Sequence, residues 1–242
     1  MAKLLELDQV VKRFGGIVAT NGLTFDVNKG ESLALIGPNG AGKTTIFSLI
    51  MGEIRQNAGT IRLKGEEISG LATHQRIGRG IARTYQVPRP FADMDVAGNI
   101  RVGMMPNNLW QMLAKGPDPD AELALALSVG FSEGDLHKKP ATLSMGDLRK
   151  LELARTLATR PEIMLLDEVF AGLTVGEIAQ ISDLLAQKRR EGMTFIIVSH
   201  DLRSLEPLVD RAVAMTFGRQ IAEGSFRAVM DDEQVRAAYL GQ

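Results

Sequence analysis

Gly37-Pro38-Asn39-Gly40-Ala41-Gly42-Lys43-Thr44 carries the most readable chemistry of this chain. It fits the spacing G-x-x-x-x-G-K-[ST], which suits a loop wrapped around a polyphosphate. Glycines at 37, 40 and 42 let the backbone curl closely around an anion. Lys43 would bridge the β- and γ-phosphates, and Thr44 would put its hydroxyl on Mg²⁺. Asn39 and Ala41 within this stretch, and Thr45 just after it, are assigned to the same ligand. A glycine-rich turn that binds nothing would also satisfy the bare spacing. The flanking residues argue against that. Leu33-Ala34-Leu35-Ile36 reads as a buried strand, and Thr44 to Met51 as a helix with Ile46, Leu49 and Ile50 inward. A loop so placed aims several backbone N–H groups at one point, at the positive end of the helix dipole.

Four more residues could act on a bound polyphosphate. Ile163 to Leu166 reads as an apolar strand that ends in Asp167 and Glu168. Ligands of parallel sheets sit at the carboxyl ends of strands. Asp167 is thus placed to hold Mg²⁺, and Glu168 to polarise a water for attack on the γ-phosphate. His200 follows the strand Phe195 to Ser199, so its imidazole could contact the γ-phosphate or order the water. Gln86 is expected to end a strand running from Ile81, where its amide could touch Mg²⁺ or the water. A solvated acidic turn, a structural histidine and a surface glutamine are the bland alternatives.

The elements that must position these groups are mostly strands at first. Leu4 to Val11 and Thr24 to Val27 flank a turn at Gly15-Gly16, and Gly59 to Leu63 is a further strand. A short helix near Thr73 to Arg79 precedes Ile81. Prolines 88, 90, 106, 117 and 119 then break the chain. Ala121 to Val129 is a short amphipathic helix, and Leu148, Leu151, Ala154 and Ala158 recur at helical spacing in another. From about Glu162 the α/β pattern returns: a helix at Gly176 to Arg190, a strand at Thr194 to Ser199, and closing strands at Arg211 to Met215 and Gln220 to Glu223. The expectation is one domain over 1–242. An α/β core at 1–86 and 159–242 would be interrupted by a helical insertion at 87–158.

Composition narrows the function. Hydrophobic residues make up 45% of 242, enough for a sizeable core. A net charge of −1 argues against a general nucleic-acid binder, and the lack of cysteine excludes disulfides and thiolate metal sites. No apolar run approaches the roughly 20 residues that span a bilayer. A membrane role would need a partner.

Together these motifs resemble the nucleotide-binding subunit of ATP-binding-cassette transporters, over essentially the whole chain. Leu143-Ser144-Met145-Gly146-Asp147 stands where that family carries its signature Leu-Ser-Gly-Gly-Gln. The resemblance implies a phosphate-loop α/β core with an antiparallel β subdomain and a helical subdomain. It implies ATP and Mg²⁺ as ligands, and two cassettes sandwiching two ATP molecules. Ser144 and Gly146 would bind the γ-phosphate held by the other copy. Gln86 becomes the lid-loop glutamine, His200 the switch histidine, Glu168 the catalytic base, and Phe14 the aromatic that stacks on adenine.

Within the family, the stretches Lys12 to Gly16, Gly80 to Gln86, Ala171 to Leu173 and Val235 to Gly241 look most like ATPases of branched-chain amino-acid importers. Urea and short-amide importers and the lipopolysaccharide-export ATPase share much of this pattern. The implied partners are membrane permease subunits, a second cassette, identical or paralogous, and indirectly a solute-binding protein. The implied location is peripheral, on the cytoplasmic face of the inner membrane. Phe91, Met94, Met104, Met105 and Trp110 are candidates for the permease contact, though such residues are more often core.

The chain departs from the family at Met145, Asp147, Val169 and Thr174. Asp147 puts a carboxylate near a bound triphosphate, which Arg149 or Lys150 would have to offset. The altered signature leads to an expectation of weak turnover for a symmetric homodimer. The rivals are a soluble cassette protein of translation or DNA repair, and a regulatory cassette that hardly hydrolyses ATP.

Overall fold

The computed structural model describes residues 2–105, 116 and 118–240, the side chain of residue 240 excepted. In chain order the elements begin with β1 (Lys3–Phe14), β2 (Ile17–Asn28), β3 (Ser32–Ile36), α1 (Lys43–Met51), β4 (Ala58–Leu63), β5 (Glu66–Glu67), α2 (Thr73–Ile77) and β6 (Ile81–Arg83). Then come α3 (Val96–Met104), α4 (Pro119–Ser128), α5 (Met145–Ala158), β7 (Ile163–Asp167), α6 (Val175–Arg190) and β8 (Thr194–Val198). The chain closes with α7 (Leu202–Leu205), β9 (Arg211–Thr216), β10 (Arg219–Gly224), α8 (Phe226–Asp231) and α9 (Glu233–Leu240).

A four-stranded sheet runs β2-β1-β4-β5, and a six-stranded sheet runs β10-β9-β3-β8-β7-β6. The larger sheet is parallel except for the β9–β10 hairpin. Alternation along its strands splits the core in two. Leu33, Leu35, Leu165, Ile196 and Val213 face α1 and the four-stranded sheet, so α1 lies between the two sheets. Ala34, Ile36, Met164, Leu166 and Ile197 face the other way, onto α5, α6 and the C-terminal helices. The apolar faces of α3, α4 and α5 belong to this second core.

Several boundaries differ from expectation. β1 and β2 are longer than their apolar stretches, because register shifts break the alternation between them. Gln9 sits at one shift, with φ 49°. Gln86 does not end a strand. β6 stops at Arg83, and one more ladder bond, from Thr84 N–H to Leu165 O, closes it. Beyond it, side chains replace the ladder: Tyr85 N–H donates to Glu152 Oε1 at 2.9 Å, and Arg149 donates to the carbonyls of Tyr85 and Gln86. Trp110 lies outside the described residues. Among those described, no helix is long and apolar enough to cross a membrane.

One buried cation secures α1 from behind. Arg76 is 0% exposed and donates to the carbonyls of Leu49, Ile50, Leu71 and Ser69, at 2.7, 2.9, 3.1 and 3.0 Å. It thereby satisfies carbonyls at the negative end of α1. Arg76→Met should lower unfolding stability by about 3 kcal/mol, because buried carbonyls lose a charged donor. Urea unfolding followed by far-ultraviolet circular dichroism checks this.

Candidate nucleotide site

The phosphate loop leaves β3 in the middle of the larger sheet and enters α1. Gly42 is the N-cap of α1, with φ 106°, and no side chain caps the helix. The first-turn amides of α1 therefore have no side-chain partner and open into a cavity of about 360 Å³. The glycines are needed for closeness. A side chain at Gly42 would lie 2.5 Å from Ala19 O, and one at Gly37 would collide with Met215 O.

The cavity brings together most of the predicted residues. Asn39, Gly40, Ala41, Gly42, Lys43, Thr44, Thr45, Gln86, Asp167, Glu168 and His200 line it. Gly37 stands at the base of the loop, where its N–H donates to Tyr239 Oη at 2.9 Å. Phe14 is not on the cavity wall. It ends β1, half-exposed, with Lys12 Nζ 4.9 Å from its ring centre. Ser144 and Gly146 lie outside the cavity as well. A larger, shallower groove between β2 and β10 holds none of these groups.

Lys43 is buried, and its Nζ donates to Gly37 O at 2.5 Å and Pro38 O at 3.0 Å. Burial pulls its pKa below the ordinary 10.5, while Glu168 and Asp167 act in the opposite sense. Asp167 is held by Arg83, whose Nη2 lies 2.8 Å from Asp167 Oδ2. The same guanidinium reaches Glu53 at 2.9 Å and Ser48 Oγ at 3.0 Å, and packs over Phe47 and Tyr85. Glu168 has φ 51°, a left-handed conformation that costs a non-glycine residue about 1–2 kcal/mol. Its N–H donates to Val198 O at 2.9 Å, and its side chain meets His200 twice. His200 N–H donates to Oε2 at 3.1 Å, and Nε2 lies 3.3 Å from Oε1.

The signature segment forms a separate cluster. Ser144 caps α5, its Oγ accepting from Asp147 N–H at 3.0 Å and donating to Asp147 Oδ2 at 2.8 Å. Lys150 pairs with Asp147 Oδ1 at 3.2 Å. Arg149 is committed to the Tyr85–Gln86 backbone and to Glu152, so Lys150 is the residue that offsets Asp147. Thr174 caps α6 in a reciprocal box with Glu177, which holds the Glu177 carboxyl below its usual range. That carboxylate occupies the space a side chain at 146 would need.

Sequence reasoning missed Arg83, Tyr239 and Phe217. Arg83 stood inside a quoted stretch without a role. Tyr239 likewise lay in the stretch Val235 to Gly241 without a role, because only the fold carries α9 to the loop.

The loop, its uncapped helix and the carboxylates at the carboxyl end of β7 define a phosphate-loop nucleotide hydrolase. A family model described as "ABC transporter" matches residues 20–171, and one described as "Branched-chain amino acid ATP-binding cassette transporter" matches residues 219–242. The chain is 34% identical to the high-affinity branched-chain amino acid transport ATP-binding protein BraF of Pseudomonas aeruginosa, covering 99% of this chain and 98% of that protein. It is 32% identical to the lipopolysaccharide export system ATP-binding protein LptB of Haemophilus influenzae, with the same coverage. A crystal structure of a nucleotide-free ATP-binding cassette from an ABC transporter aligns at TM-score 0.87 and 27% identity, over 99% of this chain and 100% of that one. A crystal structure of the ADP conformation of an ATP-binding cassette of an ABC transporter aligns at 0.87 and 27%, over 100% of both chains. The chain belongs to the ATP-binding-cassette transporter family and is an ATPase subunit of it.

To hold a triphosphate Lys43 would have to be charged, and a triphosphate would in turn favour the charged form. ATP affinity should therefore fall as pH rises through the lowered Lys43 pKa, and binding in that range should take up a proton. Calorimetry in buffers of different ionisation enthalpy measures the uptake, which Lys43→Arg should abolish.

Proposed function

We propose that this chain drives import of branched-chain or other hydrophobic amino acids. The match of residues 219–242 to the branched-chain amino acid model carries the reading. In the structure that segment is not peripheral, since Tyr239 reaches the first glycine of the phosphate loop. Lipopolysaccharide export is the second reading, motivated by the alignment to that ATPase over 99% of this chain.

ATP would lie with its phosphates over the α1 amides. Thr44, Asp167 and Gln86 would hold Mg²⁺. Arg83 takes Asp167 Oδ2, and Oδ1 makes no hydrogen bond among the described residues. No cluster of three or more His, Asp or Glu side chains there could hold a metal alone, which suits an ion that completes its shell with phosphate oxygens. When bound, Mg²⁺ would neutralise charge building between the β- and γ-phosphates. Glu168, fixed through both carboxylate oxygens by His200, orients the attacking water, and Lys43 stabilises the phosphoryl oxygens.

A second cassette would contribute Ser144 and Gly146 in trans, at the N-terminus of α5. Phe91, Met94 and Met105 are exposed and would meet the permease subunits, with a solute-binding protein acting beyond them. The chain would sit on the cytoplasmic face of the membrane.

Glu168→Gln should reduce turnover by at least about 10²-fold while ATP binding persists. Sizing with Mg·ATP should show a dimer that ADP does not support. A monomer under both conditions would point to an obligatory paralogous partner. In membranes carrying the full transporter, uptake of labelled leucine should require Lys43. Normal leucine uptake with defective lipopolysaccharide export in a Lys43→Ala strain would favour the second reading.

A further inference from the structure

The β9–β10 hairpin turns on two residues, Phe217 and Gly218, between the paired Thr216 and Arg219. Their φ values are 45° and 74°, the pattern of a type I′ turn. Such a turn favours Asn-Gly or Asp-Gly, and an aromatic residue first is locally disfavoured. Phe217 is also 87% exposed. A strained and exposed aromatic residue breaks two local rules at once, which is the mark of a position kept for another reason.

The mount is firm. Gly218 N–H donates to Ala41 O of the phosphate loop at 3.0 Å, and Gly218 O accepts from Asn21 N–H at 2.8 Å. A side chain at 218 would lie 2.6 Å from Ala19 O. The turn is thus bolted to both the loop and β2. Phe217 lines the same cavity as Lys43, together with Ile17, itself 72% exposed.

Sheet order gives the direction. The phosphate loop leaves β3. Asp167, Glu168 and His200 follow β7 and β8 on one side of β3, and Phe217 follows β9 on the other. A nucleotide with its γ-phosphate toward Glu168 extends its base away from β7 and β8, toward the β9–β10 turn. A nucleobase offers apolar π faces, which an aromatic side chain binds.

We propose that Phe217, flanked by Ile17, is a specificity-determining residue that packs against the base of the bound nucleotide. The proposal rests on the nucleotide reading of the cavity. Phe217→Asn restores the residue that the turn prefers, so folding should be kept or improved, as urea unfolding would show. Calorimetry with ATP, ADP and inorganic tripolyphosphate then separates base from phosphate.

We expect ATP and ADP to bind about tenfold more weakly to Phe217→Asn, with tripolyphosphate affinity unchanged and with Phe217→Tyr close to the parent. Unchanged ADP and ATP affinities overturn the proposal, and so does an equal loss for tripolyphosphate, which would mean a distorted phosphate loop. Unchanged ADP affinity with loss of ATP-dependent dimerisation alone would assign Phe217 to the partner cassette instead. A parent chain that binds none of the three ligands overturns the nucleotide reading itself.

Discussion

The site depends on the uncapped first turn of α1. A helix start normally satisfies its free amides with a side chain, and here Gly42 offers none. Those amides remain available only because the loop is braced from outside. Ala19 O and Met215 O press against Gly42 and Gly37, Ala41 O accepts from the β9–β10 turn, and Arg76 closes the far end of the helix. The antiparallel sheet, the C-terminal hairpin and α2 thus all converge on one short helix. The local sequence supplies flexibility, and the fold removes it.

A second constraint joins that helix to the rest of the cavity. Arg83 is nearly inaccessible and touches Asp167, Ser48 of α1 and Glu53. Tyr85 shares Glu53, and its backbone is held by Glu152 and Arg149 of α5. Burial pushes the Glu152 carboxyl upward, despite the Tyr85 N–H and Arg149 that favour its charged form. Charged groups set this deep leave few alternative arrangements, because an unpaired member would be costly. Any movement of the Tyr85–Gln86 segment is therefore felt at the acid that ends β7 and at the helix that Ser144 caps.

Most of the larger sheet was legible in the sequence, because Leu33 to Ile36, Ile163 to Leu166 and Thr194 to Val198 are short apolar runs bounded by polar residues. The phosphate loop and the acids were legible because spacing and strand ends coincide. β1 and β2 were only partly so, since their register shifts break the alternation that periodicity detects. The end of β6 was invisible, because the bonds that replace its ladder come from Arg149 and Glu152, remote in sequence. Choosing between Arg149 and Lys150 as the partner of Asp147 needed the same tertiary fact. Tyr239 and Phe217 reach the cavity only through packing that no local pattern encodes.

The cap of α5 has a thermodynamic corollary. Ser144 donates its hydroxyl hydrogen bond to Asp147, a carboxylate that Lys150 already balances. An anion arriving at the Ser144 hydroxyl from outside does not meet a vacant donor. It meets an exchange reaction, in which one acceptor must leave for another to enter. The free energy gained there is a difference between two acceptors, smaller than either bond alone, and it is set as much by how readily Asp147 swings away as by the incoming charge.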